Sequence, residues 1–282
     1  MANDPFHLCV IIAGKNRTMM TIENIRCVMK NLKHTDYEFV IGSDMSDDGH
    51  HEAISYFMRS IGENYTFVST DPNNNGPGVL INKCNNEAFK RANTVLYIEN
   101  DMFLHKDLHV IDYIEDMESG NIGCVNFRYM LPKGMCSYKP FKPGKIQYVY
   151  HIPSSKDSTF TVFGSTMYSR KYYDLMGPVS EGAFGTELDP EAVMDRRYLK
   201  LFSDGTLFKN RCLMVIDTKH LTETYNSDDA PFYHVGINCQ HKPGCSWNRN
   251  LLRKEYHMFS DENLDRDFRN IFKNKGITPN GK

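Results

Sequence analysis

Through its first hundred residues the chain alternates short apolar runs with segments whose apolar residues recur at helical spacing, and each apolar run ends in a polar loop. Leu8 to Ala13 is continuously apolar, as a parallel strand covered on both faces requires. Gly14 to Arg17 interrupt it, and Ile22, Ile25, Val28, Met29 and Leu32 then follow a helical period. Tyr37 to Gly42 reads as a second strand closed by "SDMSDDG", and Ala53, Ile54, Phe57, Met58 and Ile61 as a second helix. Thr66 to Ser69 gives a third strand and "DPNNNGPG" its loop. A helix from Val79 to Ala92 leads to a fourth strand, Val95 to Ile98, which delivers Glu99, Asn100 and Asp101. Strand and helix in strict alternation with short links imply right-handed crossovers and a mostly parallel sheet. Ligands of such sheets bind beyond the carboxyl ends of the strands. The loops "GKNR", "SDMSDDG", "NNNGPG" and "ENDM" therefore share one edge.

The second half is less regular. Ile122 to Tyr129 reads as a strand, Leu131 to Lys145 as a loop rich in Lys, Pro and Gly, Phe160 to Phe163 as another strand, and Ser169 to Met176 as a helix. Asp189 and Pro190 have the form of an N-cap and first helical residue for a helix through Phe202. Cys212 to Ile216 reads as a strand and the charged stretch 261 to 272 as a surface helix. No linker separates the halves, so the expectation is one integrated unit: residues 1–104, residues 105–250, and a helical tail over 251–282.

Composition narrows the class. Lys plus Arg (33) nearly balances Asp plus Glu (35), which excludes a global field for nucleic acid or anionic membranes. The run Leu8 to Ala13 is too short for a signal-peptide core, and no stretch approaches the ~20 apolar residues that span a bilayer. The expectation is a cytoplasmic protein with no membrane partner. Its eight cysteines show no C-x-x-C pair and read as reduced packing residues.

The chemistry lies at the strand ends. A dinucleotide fold needs G-x-G-x-x-G directly after the first strand, and "AGKNRT" has a single glycine. In a strand, Glu99 and Asp101 point to one side, and two carboxylates at one spot call for a positive partner. A divalent metal carrying a nucleotide diphosphate answers that need, and Mn2+ or Mg2+ suits oxygen ligands that leave positions open for phosphates.

Four ordered motifs, "LCVIIAGKNR", "YEFVIGSDMSDDG", the "NNG" loop and "VLYIENDMFL", resemble the nucleotide-binding half of a GT-A fold glycosyltransferase, closest to family 2. The resemblance covers residues 7 to 104 and extends more loosely to 245. It implies an α/β fold of GT-A type: a mostly parallel sheet flanked by helices as the nucleotide-sugar half, merged with a less regular acceptor half. It implies transfer of a sugar from a nucleotide-diphosphate donor, a UDP-sugar favoured, to an acceptor hydroxyl. By resemblance the donor meets Ala13, Lys15, Asn16 and Arg17 in the first loop, Asp44 and Asp48 in the second, Asn75 and Lys83 around the third, and Glu99 and Asn100 in the fourth. Glu99 and Asp101 stand for the family's D-x-D, with Asp101 the direct metal ligand; the Glu in first place departs from the pattern. "FGTELDPEAVMDRR" resembles the acidic segment that supplies the catalytic base, with Asp189, Glu187 and Glu191 ranked in that order. Asp189 is equally a helix cap. His234 in "HVG" resembles the late histidine that completes the metal site; a zinc site of His234, Cys239, His241 and Cys245 matches no common spacing.

The acceptor stays open among a glycan, a small molecule and a hydroxylated DNA base. The last draws on Lys133, Lys139, Lys142 and Lys145, interleaved with aromatics between Tyr129 and His151. Two other functions fit the same fold: a non-catalytic nucleotide or sugar binder, and a sugar nucleotidyltransferase.

Overall fold

The computed structural model describes residues 6–15, 17–46, 48–127, 137–153, 164–182, 187–220 and 230–234. The expected strand at 160–163, the tail at 251–282 and residues Cys239, His241 and Cys245 lie outside the described residues.

The alternation at the start of the chain holds. In order come β1 (Leu8–Gly14), α1 (Thr18–Asn31), β2 (Tyr37–Ser43), α2 (Asp48–Ile61), β3 (Tyr65–Ser69), α3 (Pro77–Ala88) and β4 (Thr94–Glu99). The continuous apolar run of β1 is buried throughout, with Leu8, Val10, Ile11 and Ile12 at 0% exposure. β1 pairs in parallel with β2 on one side and β4 on the other, and β2 pairs in parallel with β3. α1 and α2, which pack together, serve crossovers running outward from β1 to β3. α3 serves the return crossover from β3 to β4, so right-handed connections put it on the opposite face. Helix α3 begins at Pro77, two residues earlier than the apolar spacing shows, because Gly76 caps it at φ 112° and Pro is suited to the first helical position.

Beyond β4 lie β5 (Met102–Leu104), α4 (Ile111–Glu118), β6 (Cys124–Asn126), β7 (Ser137–Phe141) and β8 (Tyr148–Ile152). Then follow β9 (Thr166–Ser169), α5 (Arg170–Met176), α6 (Pro190–Ser203), α7 (Thr206–Lys209), β10 (Met214–Asp217) and β11 (Phe232–His234). The main sheet has the order β3-β2-β1-β4-β9-β6-β10-β8-β7. β9 runs antiparallel to both β4 and β6, so the parallel nucleotide-type half continues into a mixed half without a break. Two expectations are corrected. The strand expected over 122–129 is only Cys124–Asn126, and part of the loop expected over 131–145 is β7, held in an antiparallel hairpin with β8. Separately, β5 and β11 form a two-stranded antiparallel sheet, with Met102 opposite His234.

Candidate functional site

β1 is flanked by β2 on one side and by β4 on the other, so the connections leave it in opposite directions. That is a topological switch point, where the loops diverge and a crevice opens at the strand ends. Backbone hydrogen bonds tie the loops there: Asn100 N–H donates to the Ala13 carbonyl (3.0 Å) and Asp44 N–H to the Gly14 carbonyl (2.9 Å). Gly14 has no room for a side chain, since a Cβ would stand 2.0 Å from the Asn100 amide nitrogen. The missing Cβ leaves the space that the Asn100 side chain fills.

Glu99 and Asp101 do not share a strand face, contrary to the sequence expectation. β4 ends at Glu99, and Asn100 and Asp101 form a turn into β5. The turn is pinned from α1. Asn24, with 0% exposure, donates its side-chain amide to the carbonyls of Glu99 (3.0 Å) and Met102 (2.9 Å). Two helical turns on, Asn31 donates to the Leu104 carbonyl at 2.6 Å. Sequence reasoning missed Asn24; the signal was two asparagines seven apart on the stripe that carries Val28.

A positive group meets Asp101 from within the chain. The Arg17 guanidinium donates to Asp101 Oδ2 at 2.8 Å and to Asn100 Oδ1 at 3.2 Å. Asp101 is buried and Arg17 nearly so, which strengthens the pair relative to one in water. The negative field reaches downward as well: burial first, then the Glu99 charge, with Asp101 adding to it, pushes the Tyr97 phenol well above its ordinary range. Glu99 and Asp101, one on each side of Asn100, offer carboxylate oxygens, the donor type that suits a hard divalent ion keeping positions for water and phosphate oxygens.

Asp44 organises the next two loops. Its Oδ1 accepts from the Thr70 hydroxyl (2.7 Å) and from the Gly76 N–H (2.8 Å), joining the ends of β2 and β3 to the start of α3. Asn75 is exposed and donates to the Pro72 carbonyl at 2.9 Å, while Lys83 reaches Ser69 O (3.3 Å) and Asp71 (3.4 Å). Lys15 is exposed, α2 begins at Asp48, and the Asp48 side chain and Asn16 lie outside the described residues.

The acceptor-half loop reaches this edge through α3. A Cβ on Gly78 would strike the Ser180 carbonyl at 1.9 Å, so the two backbones are in direct contact. Asn82 fastens the loop by exchanging hydrogen bonds with the Val179 backbone (2.8 and 2.9 Å), and the Ser180 hydroxyl donates to Leu188 O at 2.7 Å. Next in sequence, Asp189 caps α6, its Oδ1 accepting from the N–H groups of Glu191 (2.9 Å) and Ala192 (3.3 Å). Glu187 is exposed, and its carbonyl accepts from Arg196 at 2.6 Å. The pairing of β11 with β5 sets the His234 backbone opposite Met102, the residue after Asp101; the His234 side chain lies outside the described residues.

Comparison with solved structures gives the same fold. TarS of S. aureus, residues 1–349, aligns at 15% identity over 81% of this chain and 60% of that one, with a TM-score of 0.50. A longer TarS structure aligns at 14% identity over 91% of this chain and 44% of that one, also at 0.50. The mannosyltransferase PcManGT from Pyrobaculum calidifontis, solved with GDP-Man and Mn2+, aligns at 13% identity over 77% of this chain and 59% of that one, at 0.46. The chain spans 60% or less of the length of these structures. No family model matches the chain. No curated protein matches it either. The fold is thus GT-A, as the order of strand-end motifs implies. Among the described residues, no helix is long and apolar enough to cross a membrane.

Proposed function

We propose that the chain is a glycosyltransferase moving a sugar from a nucleotide-diphosphate donor, a UDP-sugar favoured, to an acceptor hydroxyl with the help of Mn2+ or Mg2+. The observation that carries this reading is the acidic end of β4, Glu99, with the buried turn Asn100-Asp101 after it, held at the switch point from both α1 and the first loop. Asp101 and Glu99 hold the ion, with His234 as a further ligand on the neighbouring strand. When bound, the metal neutralises negative charge that develops on the departing diphosphate. Arg17 lies at the same carboxylate and adds a fixed positive charge beside it. We assign the donor contacts to Ala13, Lys15, Asn16, Asn100, Asp44, Asp48, Asn75 and Lys83, as the resemblance implies.

The chemical step needs a base. The acceptor oxygen attacks the anomeric carbon, the bond from that carbon to the diphosphate oxygen breaks, and its electron pair leaves with the diphosphate. The hydroxyl proton passes to a carboxylate. We rank Asp189 first for this role, ahead of Glu187 and Glu191; support for a base on this segment is the contact of Gly78 with Ser180 and the bond from the Ser180 hydroxyl to Leu188 O, which tie the segment to the start of α3. A hydroxylated DNA base remains among the acceptors on account of Lys139 and Lys142, exposed on the β7–β8 hairpin. Lys145 counts less, since Glu115 and Asp112 lie 3.2 and 3.5 Å from it.

The test is thermal stability against UDP, GDP, CDP and ADP, each with and without Mn2+. A nucleotide at 100 times its dissociation constant stabilises the fold by about 2.7 kcal/mol. The expected result is a rise with one nucleotide only when Mn2+ is present. No rise with any of them removes the metal-nucleotide site. Product analysis then separates the rivals: sugar transfer for this reading, pyrophosphate release for a nucleotidyltransferase, and no product for a binder.

A further inference from the structure

A second cluster of ligand-type side chains lies at the other end of β1. His7 immediately precedes β1 and Cys9 is its second residue, their ligand atoms lie within 4.8 Å of each other, and Cys9 is in register with Glu38 of the neighbouring β2. Glu38 Oε1 lies 3.4 Å from His7 Nε2 and 3.6 Å from Cys9 Sγ, and the three ligand atoms all fall within 4.8 Å of one another. A tetrahedral zinc ion, with bonds of about 2.0 Å to nitrogen or oxygen and 2.3 Å to sulfur, separates adjacent ligand atoms by about 3.3–3.6 Å. The two spacings from Glu38 Oε1 have the length of such edges, and the third side of the triangle is within 4.8 Å.

The surroundings match as well. His7 Nδ1 lies 2.8 Å from Asp36 Oδ1, the carboxylate partner that fixes the ring of a metal-binding histidine. Glu38 Oε2 accepts from Arg91 at 2.9 Å, and Arg91 is itself shared with Glu87 at 2.8 Å, so Glu38 is oriented with Oε1 toward His7 and Cys9. Cys9 is fully buried, whereas the His7 and Glu38 side chains are 20% and 15% exposed, which leaves an entry side and a position for water.

We propose that His7, Cys9 and Glu38 bind one Zn2+ ion, cross-linking the starts of β1 and β2 at the sheet edge opposite the candidate active site. The seven residues of β1 separate the two sites by about 20 Å. The role is structural: the ion replaces the Cys9 thiol proton, which goes to solvent, and fastens the first two strands of the sheet. The competing account of the same contacts is a metal-free network, with His7 between Asp36 and Glu38 and the Cys9 thiol donating to Glu38 and to the Ala88 carbonyl.

The experiment uses the full chain, produced without a polyhistidine tag and stripped with a chelator. Zn2+ is titrated against a chromophoric chelator, and Co2+ is added in parallel to report thiolate coordination by its near-ultraviolet charge-transfer band. One equivalent of Zn2+, a thiolate-to-cobalt band, and a rise in Tm of about 5 °C at 100 times the dissociation constant are expected. His7→Ala, which alters a residue outside the core, should abolish all three, and Cys9→Ser should abolish the band. Asp101→Asn should leave them intact, which separates this site from the donor site. Signals that persist in His7→Ala belong to other cysteines and overturn the assignment. Absence of binding in the unaltered chain overturns it too, and returns His7 to the metal-free network.

Discussion

The Arg17 guanidinium, 2.8 Å from Asp101 Oδ2, joins the loop after β1 to the turn after β4 across the point where the sheet's connections diverge. Both side chains are 12% exposed, so removing either one takes a close counter-charge from a largely buried group. Arg17→Leu should cost about 3 kcal/mol of stability, in the range for breaking a buried pair. Asp101→Asn removes the charge but keeps the shape and should cost less, while lowering transfer by about a hundredfold or more. The double variant should be more stable than the sum of the single losses predicts, with a coupling of about 1–3 kcal/mol. Urea denaturation of the four proteins measures this. Strict additivity would mean that the pair is a passive surface contact.

Asn24 carries a separate prediction. Its amide satisfies the Glu99 and Met102 carbonyls on either side of the turn after β4 from the buried side of α1. Asn24→Ala leaves both without that donor and should destabilise the chain by about 1–3 kcal/mol. The turn also loses its brace, so Mn2+-dependent nucleotide binding should weaken more than the stability loss accounts for. Comparison with Asn31→Ala, which removes a similar hydrogen bond to Leu104 two residues beyond the turn, gives the control. If both variants lower stability and leave binding equal, Asn24 only holds β5 in place.

These two residues mark the limit of what the sequence reveals. The first strand is legible because a parallel strand covered on both faces needs an unbroken apolar run, and Leu8 to Ala13 has one. The acidic turn is legible too, as composition, but its geometry is not. A period of two applies only while the strand continues, and β4 stops at Glu99. The three-residue β5 is too short for periodicity, and its partner β11 begins 130 residues after it, so the pairing comes from tertiary contact alone. Asn24 is hidden for another reason. A buried asparagine that replaces backbone pairing has the same letter as one facing solvent, and only its place on the Val28 stripe sets it apart. In the second half, Lys, Pro and Gly between 137 and 145 read as loop, yet edge strands tolerate Pro, and β7 is the edge of the sheet.

Asp189 separates cap from base by a single atom. Its Oδ1 already accepts the N–H groups of Glu191 and Ala192, a task asparagine performs equally well. An amide takes no proton, so Asp189→Asn should hold stability to within about 1 kcal/mol, the loss being the charge at the helix N-terminus. Transfer should fall by about a hundredfold or more. Asp189→Ala should lose the same activity and about 1 kcal/mol more through the missing cap. Full activity in Asp189→Asn would leave Asp189 as a cap and pass the base to Glu187 or Glu191. Glu187→Gln and Glu191→Gln would then decide between those two.

Alkaline pH tests the core beneath the site. Burial pushes the thiols of Cys27 and Cys84 up to about 12 from the ordinary 9.0, and Cys124 is pushed up as well by the same cause. The folded state keeps these protons after the unfolded chain has released them. The unfolded state therefore binds fewer protons, and stability must fall as pH rises from the unfolded value toward the folded one. The window opens near pH 9.0 and closes near pH 12 for Cys27 and Cys84. From pH 9 to pH 10 each thiol should remove about 1 kcal/mol. Urea denaturation at pH 8, 9 and 10 reads the loss, and Cys27→Ala should show a shallower fall than the unaltered chain by one thiol's share. Parallel profiles would show that Cys27 ionises alike in both states, and that the α1 packing is open to water on that side.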